Sequence, residues 1–96
     1  MTINDFFGYL DSFANILIVS AYTMMEKGYD PNTRMTCYRT MTYDERTFWS
    51  GEADKIPIKY ANDKIVSVYV SRIGQQLVIE VDREVPSDHE LETSPL

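Results

Sequence analysis

The last third of the chain carries the clearest alternation of hydrophobic and polar positions. Residues 64–71 and 75–82 are rich in Val, Ile and Tyr and flank a turn that contains Gly74. Two such runs joined by a short glycine turn predict a β-hairpin. Because side chains alternate between the two faces of a strand, each run places three apolar side chains on one face, and we expect all six to be buried. They are Val66, Val68, Val70, Leu77, Ile79 and Val81.

The N-terminal pattern has helical spacing at first and then changes. Ile3, Phe6 and Leu10 recur at three- and four-residue intervals behind Thr2, a residue type that caps helices, so we predict a short helix over residues 2–11. Residues 15–22 are rich in β-branched side chains and predict a strand. The same apolar positions also continue in helical register, which leaves one long helix as the alternative.

The middle of the chain is predicted from its turn signals. Residues 26–34 contain Gly28 and Pro31 and predict a loop, while residues 35–43, rich in Thr, Tyr and Met, predict a strand. Asp44 and Glu45 then predict a turn into a second short strand over residues 47–50.

Gly51 ends that strand, and the following segment contains a proline. Pro57 has no N–H for a strand ladder, so residues 52–63 predict a connection with one helical turn begun by Pro57. This turn would direct Ile56 and Tyr60 towards the core.

Together these elements predict an α+β fold, in which the N-terminal helix packs on a mostly antiparallel sheet of four or five strands. The length of 96 residues suits one domain, which we place at residues 1–83. Residues 84–96 hold two prolines, several acids and few apolar side chains, so we predict an acidic, disordered tail.

Composition restricts the possible partners. The net charge is −6 and the nine basic residues are scattered, which argues against direct binding to nucleic acid. The negative net charge either keeps the protein soluble or favours binding to a basic protein surface. The apolar stretch 13–25 is interrupted by polar residues and is too short to span a bilayer. One cysteine and the lack of a signal-peptide pattern favour a reducing, cytoplasmic setting.

The sequence offers no set of residues for catalysis. His89 lies in the predicted tail, and Cys37 has no histidine within the predicted fold to act as its base. Nothing brings the carboxylates together for hydrolysis or metal binding, and the glycines are isolated. We therefore expect no enzyme activity, no cofactor and no metal site.

Aromatic and acidic residues in the middle of the chain suggest a contact surface instead. Tyr38, Tyr43, Phe48 and Trp49 fall on two adjoining predicted strands, and acids surround them; the alternative is that these aromatics form the core. The candidate partner-binding residues are Tyr43, Asp44, Glu45, Phe48, Trp49, Glu52 and Asp54. The expected partner is a protein with a basic surface. Self-association through an exposed strand edge or aromatic face is the alternative.

Two short patterns resemble small uncharacterised proteins of phages, prophages and mobile elements. They are the capped start Thr2-Ile3-x-Asp5-Phe6 and the turn Gly51-x-Ala53-x-x-Ile56-Pro57, followed by the closing hairpin. The resemblance covers residues 2–18 and 50–81, and residues 20–34 are longer than the pattern predicts. It implies a phage-borne role in the cytoplasm of a bacterial host, such as an inhibitor of bacterial defence of the anti-CRISPR type acting on a nucleic-acid-handling protein.

Overall fold

The computed structural model describes residues 1–71 and 75–84 and has an α+β architecture. The helices are α1 (Ile3–Phe7) and α2 (Tyr43–Arg46), with 3-10 turns at Ala53–Lys55 and Ile58–Tyr60. The strands are β1 (Asn15–Ser20), β2 (Met24–Asp30), β3 (Met35–Thr40), β4 (Thr47–Glu52), β5 (Ile65–Val70) and β6 (Leu77–Val81). The α+β class predicted from the sequence is confirmed.

Four of the strands form one mixed sheet in the order β4-β1-β6-β5. β1 runs parallel to β6, while the β1–β4 and β5–β6 pairings are antiparallel. The two central strands are therefore β1 and β6, which lie far apart in the chain. β2 and β3 pair with each other in a separate two-stranded sheet.

The core lies on one face of the four-stranded sheet. Ile16 and Ile18 of β1 pair with Leu77 and Ile79 of β6, and both isoleucines of β1 are completely buried. The buried residues that join this cluster from outside the sheet are Ile3, Ala53 and Tyr60. The core thus includes a side chain of α1, although packing of that helix as a whole against the sheet stays a prediction.

Helix α1 is shorter than the predicted range 2–11. Thr2 caps its start, as the sequence indicates, and Asp5 completes a capping box there. The helix nevertheless ends after Phe7, with Gly8 as its C-cap. Asp11 then makes local bonds that compete with a helix: its carboxylate accepts from the N–H of Phe13 at 3.0 Å, and its carbonyl accepts from Ala14. The strand predicted at residues 15–22 is confirmed as β1, so one long helix is excluded.

The closing hairpin is present, but the expected burial is wrong for three of its six apolar side chains. Val66, Val68 and Val70 are 59%, 37% and 69% exposed, whereas Ile79 and Val81 are completely buried. The difference arises because β5 is an edge strand, while β6 is central and buries Val78 on its other face as well. A bulge between Ile65 and Ser67 also shifts the alternation of β5.

The loop predicted at residues 26–34 is wrong. Most of it is strand β2, and only residues 31–34 form the turn into β3. Gly28 lies beside a bulge and has a φ of +151°, a backbone conformation that other residues rarely adopt. The glycine is therefore the sign of an irregular strand and not of a loop. The N–H of Asn32 donates to the Asp30 carboxylate at 2.9 Å, which fixes the turn.

The connection over residues 52–63 agrees with its prediction. Pro57 precedes the 3-10 turn Ile58–Tyr60, Tyr60 is buried, and Ile56 packs against the core. The predicted tail lies outside the described residues from position 85 onwards, as does the turn at 72–74. Within the described residues, no helix has the length and apolarity that crossing a membrane requires.

Candidate contact surface

The hairpin β2–β3, with its turn at residues 31–34, forms an exposed arm. Six of the seven residues of β2 and all six of β3 are exposed. Large apolar side chains are among them, although such residues usually avoid water in a small domain. Those of the arm are Met24 (51% exposed), Met25 (38%), Tyr29 (60%), Met35 (64%) and Tyr38 (58%).

The pairing register assigns these side chains to two faces. Met24, Tyr29 and Tyr38 pair across the ribbon with Thr40, Thr36 and Glu26, respectively. Paired residues lie on the same face, and Thr36, Tyr38 and Thr40 alternate along β3, so all of these side chains share one face, which we call the tyrosine face. The methionine face carries Met25, Met35 and Cys37, together with Arg39. The sulfur of Met24 accepts a 3.5 Å hydrogen bond from the Thr40 hydroxyl, which confirms this cross-strand pair.

The base of the arm is closed and is joined to α2 by specific bonds. The N–H of Met41 donates to the carbonyl of Thr23 at 2.7 Å, closing the two strands where they leave the body. Arg39 donates to both carboxylate oxygens of Glu45. This guanidinium, together with the Thr42 N–H, lowers the pKa of Glu45 from 4.5 to about 2. The methionine face is thereby bound at its base to α2, whereas the ion pairs among the described residues leave the tyrosine face without such a link.

Helix α2 connects this base to the other face of the sheet. Arg46 is 6% exposed; its guanidinium donates twice to the carbonyl of Ser20, at 3.1 and 2.9 Å, and forms an ion pair with Glu80. The Tyr43 ring lies under that guanidinium at 5.1 Å, and its hydroxyl bonds that of Tyr69. Burial and this bond raise the pKa of Tyr69 above its usual value.

The seven candidate residues do not form one patch. Phe48 and Trp49 are half-buried against the core, so for them the core alternative is the better description. The expectation that Tyr38 and Phe48 lie on adjoining strands is wrong, since β3 pairs with β2 and β4 pairs with β1. Tyr43 is 49% exposed beside the base of the arm.

The four acids do not surround the aromatics either. Glu45 is engaged by Arg39 and by the capping box of α2. Asp44 precedes β4, whereas Glu52 ends it and Asp54 follows; a strand of this length spans roughly 17–20 Å. The charge is thus distributed along the strand and does not form one rim.

The sequence pattern missed the tyrosine face. Met24 and Tyr29 fall in or next to the segment predicted as a loop, and only Tyr38 was placed on a strand. The available signal was composition: the chain has seven tyrosines and five methionines, more than its small core accommodates. Among the described residues no group of three or more His, Cys, Asp or Glu is placed to hold a metal, and Cys37 is exposed.

Comparison of the chain with protein-family models, with curated proteins and with solved structures finds no match in any of the three. The resemblance to phage-borne proteins therefore stays a prediction.

Proposed function

We propose that the chain is a non-enzymatic protein-binding module whose contact surface is the tyrosine face of the arm. The observation that supports this most is the exposure of Met24, Tyr29 and Tyr38 on a ribbon in which only one of thirteen strand residues is sheltered. A two-stranded hairpin is marginally stable by itself, and large apolar side chains gain most when a partner covers them. Tyrosine and methionine are also enriched where proteins meet.

The charge distribution suggests how such a partner would be recognised. The arm carries two acids and three bases (Glu26, Asp30, Lys27, Arg34 and Arg39), so all of the negative net charge of the chain resides outside the arm. The arm would supply apolar anchors, and the acidic remainder of the chain would attract a basic surface from a distance. A nucleic-acid-handling protein, which presents such a surface, is the partner class we propose.

In its specific form, the proposal is a phage-encoded inhibitor of a bacterial defence system, of the anti-CRISPR type. The resemblance at residues 2–18 and 50–81 and the acidic charge support this form. It is tested by adding the protein to purified, guide-loaded CRISPR effectors and measuring cleavage of target DNA. We expect cleavage by at least one effector to be blocked at near-stoichiometric protein. Full activity across a panel of effector types would contradict the inhibitor role and leave the binding role standing.

Two variants separate the tyrosine face from a general effect of the arm. Tyr29→Thr with Tyr38→Thr removes both rings and keeps β-forming residues, so the ribbon should persist. Met35→Thr is the matched control, since Met35 is equally exposed on the opposite face. Each protein is immobilised and used to capture partners from bacterial lysates, with quantification by mass spectrometry.

We expect at least one protein to be captured equally by the wild type and Met35→Thr, and at least about tenfold less by the double variant, which corresponds to a loss of about 1.4 kcal/mol. Equal capture by all three would refute the assignment of the contact to the tyrosine face.

A further inference from the structure

Strand β5 is an edge of the four-stranded sheet without the usual protection. It pairs with β6 alone among the described strands. Its sequence, Ile-Val-Ser-Val-Tyr-Val, contains no charged residue, no proline and no glycine. Natural proteins usually protect such edges with charges, prolines or bulges, because an open edge is a template for another strand. In the part of the chain that the structure describes, the one protective device on this edge is the bulge between Ile65 and Ser67.

The opposite edge, β4, is different. The hydroxyl of Tyr60 donates to the carbonyl of Phe48 at 3.2 Å, which occupies a backbone acceptor of that strand. β4 also ends in Glu52 and has a bulge where it passes β1. The two edges of one sheet are therefore unequal, and β5 is the open one.

Hydrogen bonds around β5 define which part of the edge is available. The N–H of Ser71 donates inward to the carbonyl of Gln76 at 2.8 Å. Since backbone groups alternate in direction along an antiparallel strand, those of Val68 and Val70 point away from β6. At the other end, the N–H of Ile65 already donates to the carbonyl of Met1 at 2.8 Å, and Thr2 bridges Lys64. With respect to the described residues, the open segment is thus 66–70.

We propose that a second copy of this chain pairs with residues 66–70, β5 against β5 in antiparallel orientation, to form a continuous eight-stranded sheet. In a dimer with a two-fold axis the same segment of both copies forms the contact, so the valines of one β5 strand lie next to the valines of the other. Charge also favours this occupant. Two copies with a net charge of −6 repel each other, and an uncharged strand is where they can approach at least cost.

The side chains support the same pairing. Val68 and Val70 pair with Ile79 and Leu77 and therefore lie on the core face of the sheet, yet they are 37% and 69% exposed. Pairing of two β5 strands would place these valines next to their counterparts and extend the core face across the junction. This surface is separate from the arm, so the inference does not depend on the proposed function.

The test is the oligomeric state of the full chain. Sedimentation velocity over a range of about 5 to 500 μM should show a monomer–dimer equilibrium that moves towards dimer with concentration. Val68→Lys places a charge on the edge and should yield monomer at every concentration. Val70→Lys, at a more exposed position, provides a second variant should Val68→Lys perturb folding. Ile58→Lys is the control, because Ile58 is 90% exposed outside β5 and should leave the dimer intact.

Position is checked by cross-linking. With Cys37 replaced by Ser, Val68→Cys should form a covalent dimer with a short bismaleimide, and Ile58→Cys should not. Wild-type protein that remains monomeric at the highest concentration would overturn the inference. A dimer that persists in both lysine variants would overturn the assignment to β5.

Discussion

Arg46 provides the sharpest test of how α2 is held against the four-stranded sheet. It is buried, it donates two hydrogen bonds to the carbonyl of Ser20, and it forms an ion pair with Glu80, whose side chain is 17% exposed. Replacing Arg46 by Met keeps much of the side-chain volume but leaves a mostly buried carboxylate without its cation. The carbonyl also loses both donors.

The magnitude follows from these contacts. Breaking a buried ion pair by removing one partner costs roughly 3–5 kcal/mol, and we expect about 2–4 kcal/mol here because Glu80 retains some contact with water. For a domain of this size, that loss lowers Tm by roughly 10–30 °C. Urea unfolding followed by circular dichroism gives the free energy of unfolding directly.

A double-mutant cycle identifies the cause. Arg46→Met combined with Glu80→Leu removes both charges, and an apolar replacement of a buried pair is often close to neutral. We expect the double variant to recover most of the lost stability. If Arg46→Met alone unfolds within about 0.5 kcal/mol of the wild type, the described ion pair does not stabilise the fold and the reasoning is refuted.

Three further predictions concern other parts of the molecule. Arg39 lowers the pKa of Glu45 to about 2, so the stabilisation by the ionised Glu45 carboxylate is present above pH 4.5 and is lost as pH falls towards 2. Glu45→Gln should remove this part of the pH dependence of Tm, and an unchanged profile would contradict the pairing. Ile79→Ala should destabilise the protein by about 2–5 kcal/mol, whereas Val70→Ala should stay within about 0.5 kcal/mol; equal losses in urea unfolding would contradict the unequal burial of the hairpin. Gly51→Ala should destabilise the protein by about 1–3 kcal/mol, because the added Cβ would lie 2.8 Å from the indole ring of Trp49. A neutral result in the same assay would argue against that close approach.

The sequence predicted the elements whose signals are local. The helix cap at Thr2, the β-branched strand β1 and the turn begun by Pro57 each depend on residues close together in the chain, and each is confirmed. The closing hairpin is also confirmed as a pair of strands.

What the sequence could not predict depends on the position of strands in the sheet. Val68 and Ile79 have similar local patterns, yet one belongs to an edge strand and the other to a central strand, and only the sheet order decides which is buried. The arm was missed for a related reason. Both faces of β2 are exposed, so no alternation of apolar and polar residues marks it, and Gly28 and Pro31 suggest a loop.

The candidate residues named from the sequence differ from those of the proposed tyrosine face. Tyr43 lies at the base of the arm, but Phe48 and Trp49 pack against the core. Charge reversal at all four candidate acids would not be a clean test of binding. Glu45 belongs to the capping box of α2 and bonds Arg39, so its reversal would also disturb the fold.

Shortening the arm tests the central claim most directly. The carbonyl of Thr23 and the N–H of Met41 are already joined at 2.7 Å, so residues 24–40 can be replaced by a short glycine-rich turn. The binding role predicts that the shortened chain keeps its cooperative unfolding within about 1 kcal/mol of the wild type and loses the captured partner. A shortened chain that is folded and still captures that partner would contradict the assignment of function to the arm.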